Sequence, residues 1–173
     1  GVGLTSVGAV FSPSPALALQ PSSLPTELAA GGQGQQMVNL ECGASYGAPP
    51  QLAVRFVGPS GPTQLVVPLP LPPTKFNQPL QIAGPEFFRR WKLLDGGEKQ
   101  AVFKLRACPL EQAAVDSVVG TGCKFAVLPG VDPTPTNFVA AGWLATKGAS
   151  PQADAASVLL RLEINVSAGM CRA

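Results

Sequence analysis

The sequence predicts an α+β chain, strand-rich in its first half and mixed in its second. Three observations carry this. Nineteen prolines and nineteen glycines among 173 residues cut the chain into short pieces, which favours strands and turns over long helices. Ser157 to Val166 alternates strictly, with Val158, Leu160, Leu162, Ile164 and Val166 on one face and Ser157, Leu159, Arg161, Glu163 and Asn165 on the other. Such a strand has one buried face and one partly open. Gly84-Pro85-Glu86 opens a helix, with proline in the first turn and an acid at the positive dipole end, and Gly96-Gly97 closes it.

Residues 12 to 34, with Pro13, Pro15, Pro21 and Pro25 before Gly31-Gly32, read as a long irregular connection. Gln35 to Cys42, Gln51 to Val57 and Thr63 to Leu69 have strand length and partial alternation, and suggest antiparallel strands of a sandwich. Pro68 then belongs at an edge or a strand end, since it has no N–H for a ladder. The proline-rich run Pro68 to Pro73 reads as a strand end entering a stiff linker, although it contains a PxxP that an SH3 domain would accept. Composition shifts just after it, so two subdomains are expected, residues 1–82 and 83–173. In the second, Leu110 to Val119 reads as a short helix, and Cys123 to Leu128, Asn137 to Lys147 and Ser157 to Val166 read as strands. Val131 to Thr136 is a turn, and periodicity leaves residues 98 to 106 ambiguous.

A net charge of +2 with 13% charged residues provides no basic field for nucleic acid and no polybasic run for a lipid surface. No apolar run reaches the roughly 18 to 20 residues needed to cross a bilayer. Cys42, Cys108, Cys123 and Cys171 lack a CxxC spacing, and no histidine is present to complete a zinc site. No metal or cofactor is expected. Reduced thiols fit a chain this large, which does not need staples. Two disulfides, with the sequon Asn165-Val166-Ser167, would instead describe a secreted β-sandwich binding module. Without histidine, a serine or cysteine nucleophile lacks its commonest base, and no nucleophile elbow, P-loop or dinucleotide turn occurs. The reading is of a protein that is not an enzyme.

In the helix from Glu86 to Leu94, Trp91 follows Phe87 by four residues and Phe88 by three, so the three aromatics form one stripe beside Arg89, Arg90 and Lys92. Such a stripe packs into a core as readily as it binds. Three large aromatics in five residues are nevertheless a great deal for a short helix to bury, and a tryptophan bordered by cations suits a peptide pairing an aromatic with an acid. Arg161 and Glu163 share the open face of their strand, either as a solvated pair or as part of a site.

QQMVNLEC, EFFRRWKLL (Glu86 to Leu94), VDPTPTNFVAAG (Val131 to Gly142) and LLRLEINV (Leu159 to Val166) occur in an order and separation that resemble the alpha-adaptin appendage, or ear, of the plasma-membrane clathrin adaptor complex. The resemblance runs from about Gln35 to the end of the chain. It implies an immunoglobulin-like β-sandwich followed by a platform of antiparallel sheet flanked by helices, and a strand over Glu98 to Arg106. It also implies a sandwich incomplete at its N-terminal side and a platform incomplete at its C-terminal side. It implies a platform site for DPF/W and FxDxF peptides of endocytic accessory proteins, epsin-like and amphiphysin-like. The resemblance places Trp91 at the centre of that site, with Phe88 beside it, Arg161 and Glu163 on the facing strand, and Arg172 and Glu98 nearby. The resemblance further implies a second site, for WxxF-type motifs on the sandwich, with Gln33 matching one of its residues. Other adaptor subunits would be bound through the rest of the alpha chain, at clathrin-coated pits on the cytoplasmic side of the plasma membrane. The appendages of coatomer gamma or a beta adaptin share this architecture; the aromatic helix with NFV-AG points to alpha.

Overall fold

The computed structural model describes residues 1–94, 99–153 and 156–173. Two compact units are present, Gly1–Pro73 and Thr74–Ala173. The break thus falls at the end of the proline run. Residues 74–82 belong with the second unit because Asn77–Pro79 pairs with one of its strands.

In the first unit, β1 (Thr5–Phe11), β4 (Gln51–Gly58) and β5 (Gly61–Pro68) form an antiparallel sheet in the order β1-β4-β5. A separate antiparallel pair joins β2 (Leu17–Pro21) to β3 (Val38–Cys42). The stretch from 12 to 34 is therefore not wholly irregular: Leu17-Ala18-Leu19-Gln20 alternates and pairs with Cys42 to Asn39. The β4–β5 hairpin closes through a two-residue loop between Gly58 and Gly61, and Gly61 has a φ of +96°, a conformation glycine adopts without penalty. Pro68 ends β5, an edge strand, where its missing N–H is harmless. Val7, Ala16, Leu17 and Cys42 are buried, whereas Leu65, Val66 and Val67 on β5 stay about half exposed.

The second unit contains a six-stranded antiparallel sheet. Its main path is β6 (Asn77–Pro79), β9 (Phe138–Leu144), β10 (Ser157–Asn165), β11 (Met170–Arg172) and β7 (Val102–Lys104), and β8 (Ala126–Val127) shares an edge of β9 with β6. Helix α1 (Gly84–Leu93) covers one face, where Phe87 joins Leu80, Ala126, Leu128, Val139 and Ala141. On the other face, α2 (Gln112–Val115) runs into a π-helical segment, Asp116–Gly122, and brings Val115 and Val119 onto Ala140, Leu162, Ile164 and Cys171. The helix expected over 110 to 119 is thus shorter as α-helix and continues in a wider coil into Gly120 and Gly122. Small residues on β9 let both layers approach: Val139, Ala140 and Ala141 are buried. The strand implied over 98 to 106 is limited to Val102–Lys104, with Ala101 bonded in both directions to the Ala173 backbone. No helix among the described residues is long and apolar enough to cross a membrane.

Candidate functional site

Helix α1 follows from its sequence. Pro85 lies in its first turn and Glu86 accepts from Arg89 and Arg90 at 2.7 Å, one helical turn away. Those arginines, Arg89 first, hold the Glu86 carboxyl down at about 2. Phe87 is fully buried and Arg90 nearly so, which fixes the inward face. Trp91 packs half-buried against the core cluster, and Phe88 turns outward at 38% exposure. The rings remain in contact, Phe87 with Phe88 edge-on at 5.4 Å and with Trp91 tilted at 5.6 Å. The stripe is therefore core and surface together: Phe87 anchors while Trp91 and Phe88 reach solvent.

Arg90, expected among the bordering cations, is instead a buried clamp. Its Nη1 donates to Ser157 Oγ at 2.7 Å and to the Pro151 carbonyl at 3.2 Å, while its Nε donates to Glu86 at 2.7 Å. This ties α1 to the start of β10. Leu159, next on the same face of β10, packs under the helix with Trp91. That half of the face is covered, so the face is only partly open, in keeping with the alternation. The open part begins two residues further on, at Arg161.

From there a row of alternating charge crosses the sheet. Arg161 Nε donates to Asp132 Oδ2 at 2.7 Å, and Arg161 Nη1 pairs with Glu163 Oε1 at 2.7 Å. Glu163 faces Arg172 across β10 and β11 and accepts from its Nε at 2.7 Å and from its Nη2. Arg172 is in turn opposite Val102 on β7. A cavity of about 670 Å³ opens beside this row, lined by Val102, Glu163, Asn165, Met170 and Arg172 among others. The arginine side chains are 36% and 52% exposed, so both reach solvent although both are paired.

Asp132 is the residue that the reading of Val131 to Thr136 as a mere turn passes over. Its side chain is 1% exposed. Burial acts to raise its pKa, but the Thr134 N–H, Arg161 and Asn137 outweigh this and the net shift is downward. The detectable signal was Asp132 two residues before Thr134, the spacing of an Asx turn.

Among the expected site residues, Phe88 and Trp91 are together on α1, and Arg161, Glu163 and Arg172 are together on the open sheet face. Glu98 lies outside the described residues. Gln33 is exposed in the loop before β3, in the other unit. The described residues contain no cluster of three or more potential metal ligands.

Fold and surface define an α+β appendage-type module, a platform of antiparallel sheet with helices on its faces. The family model for the alpha adaptin AP2 C-terminal domain matches residues 75–173, and the chain belongs to that family. The chain is also 32% identical over 171 residues to the AP-2 complex subunit alpha-2 of Dictyostelium discoideum, an alignment covering 98% of this chain and 17% of that protein.

Proposed function

We propose that this chain serves a clathrin adaptor as a non-catalytic appendage that grips short peptides pairing a phenylalanine or tryptophan with an aspartate. DPF/W and FxDxF motifs of endocytic accessory proteins fit that description, and the cytoplasmic face of coated pits is where such an appendage would act. The observation that carries this reading is the solvent-reaching edge of one ring cluster, Trp91 and Phe88, on the sheet face that presents Arg161 and Arg172. A peptide ring stacks beside Trp91, and the peptide's acid takes the N–H groups that the arginines do not use internally.

Burial of one ring supplies roughly 1.5 to 3 kcal/mol, and each of a few hydrogen bonds adds about 1 kcal/mol. After ordering costs, affinity is on the order of micromolar or weaker. Recruitment then depends on several motifs per partner and many adaptors per membrane patch. Weak single contacts let partners exchange as a coat grows.

Isothermal titration with a DPW peptide and its scrambled counterpart tests this. The wild-type chain is expected to bind the first at least about tenfold more tightly, and Trp91→Ala to abolish that preference. Equal affinity for both peptides, or a preference that survives Trp91→Ala, would refute the site.

A further inference from the structure

We propose that Asp132 is a positioning residue of this peptide site, fixing Arg161 in the orientation that selects an acidic residue in the ligand. The proposal rests on the peptide-binding reading above and adds to it a residue beyond the surface groups.

Asp132 is buried, with a side chain 1% exposed. Its two oxygens have separate duties. Oδ1 accepts from the Thr134 N–H at 2.8 Å and from Asn137 Nδ2 at 3.3 Å, which closes the loop on itself. Asn137 Oδ1 in turn accepts from the Ile164 N–H at 3.2 Å, which moors the loop to β10. Oδ2 is left for Arg161 Nε at 2.7 Å. A carboxylate held by its own loop, on a loop held by the sheet, is a rigid post for the guanidinium.

Glu163 takes Nη1 from the other side. Arg161 is then gripped at two of its three nitrogens, and Nη2 has no hydrogen bond to a described residue. A free arginine would lose much side-chain freedom on capturing a carboxylate. Here that ordering is complete before the peptide arrives, so the peptide's acid meets a donor already aimed.

A neutral alternative for Asp132 is simple charge compensation. It predicts the opposite outcome, because removing a negative charge beside Arg161 would then strengthen the attraction for acids. The two are separated by comparing a DPW peptide with its NPW counterpart on the full chain, by titration calorimetry.

The wild type is expected to prefer the aspartate peptide by about tenfold, the scale of one charge-assisted hydrogen bond. Asp132→Asn keeps an acceptor for Thr134 and Asn137 and loses the carboxylate that holds Arg161 Nε. It is expected to cut the preference to about threefold or less while affinity for NPW changes under about twofold. Arg161→Lys, which leaves the loop untouched, should cause the same loss, and combining the two changes should remove little more. If Asp132→Asn unfolds, Asn137→Ala, which loosens the loop that holds Asp132 and leaves both charges in place, is expected to lower the same preference. Equal weakening toward both peptides, an unchanged preference or a rise in it would overturn the positioning role. A wild type that binds neither peptide would overturn the peptide-binding reading itself, and this inference with it.

Discussion

Replacing Gly142 by alanine should destabilise the second unit, and the structure gives the size of the effect. Gly142 is on β9 opposite Pro79 of β6. A methyl group added there would fall 2.6 Å from Asn77 Nδ2 and 2.7 Å from its Oδ1, closer than such atoms ever approach. Asn77 cannot yield freely. It is buried, and its Nδ2 donates to the carbonyls of Cys123 at 3.0 Å and Lys124 at 2.9 Å, holding a turn in which Lys124 takes a φ of +57°. Its Oδ1 has no hydrogen-bond partner among the described residues and lies beside the space that a side chain at position 142 would fill. Overpacking costs about 1 to 3 kcal/mol, and each displaced hydrogen bond about 0.5 to 1.5 kcal/mol. A total loss of roughly 2 to 4 kcal/mol is expected once partial relaxation is allowed.

Urea unfolding followed by tryptophan fluorescence measures this, because both tryptophans, Trp91 and Trp143, belong to the second unit. A double-mutant cycle sharpens it: in an Asn77→Ala background the added methyl has room, and its cost should fall by at least about 1 kcal/mol. Additive costs, or a Gly142→Ala variant within about 0.5 kcal/mol of wild type, would refute the packing explanation.

Other perturbations have equally definite outcomes. Glu86 has a folded pKa near 2 against an ordinary 4.5, so its contribution is full above about pH 4.5 and is lost as pH falls toward 2. Carbon-detected NMR titration should find its midpoint near 2, and Glu86→Gln should flatten the acid side of the stability curve over that window; a midpoint above about 4 would contradict the pairing with Arg89 and Arg90. All four cysteines are unpaired, so denatured, unreduced protein should titrate four thiols. In the folded state Cys108 and Cys123, which are only half-buried, should react first. Cys42 and Cys171 are buried, which pushes their thiols up, and should lag by at least about tenfold. Uniform rates would contradict that burial.

Much of the second unit was legible because its elements announce themselves locally. Strict alternation marks β10, and a first-turn proline marks the start of α1. β2 was hidden by the prolines around it, although Leu17-Ala18-Leu19-Gln20 alternates, and β6 is three residues long with a proline at its end. The break between units moved because pairing of β6 with β9 depends on a partner some 60 residues away, which composition does not report. Within the candidate site, spacing alone marked the aromatic helix and the alternating strand that bears Arg161 and Glu163. Burial could not: Arg90 looks like a surface cation in sequence, and only Ser157 and Pro151 on a distant segment show why it is inside. Asp132 was obscured for the same reason, since its partner Arg161 is 29 positions later.

An incoming aromatic ring is expected to dock at Trp91. Two-dimensional 15N NMR resolves the two indole N–H groups, one from Trp91 and one from Trp143. Adding DPW peptide should shift the Trp91 indole and the Phe88 and Arg161 amides in proportion to occupancy, and leave the Trp143 indole in place. A peptide that binds while the Trp91 resonance stays fixed would show that the ring docks elsewhere and contradict the account.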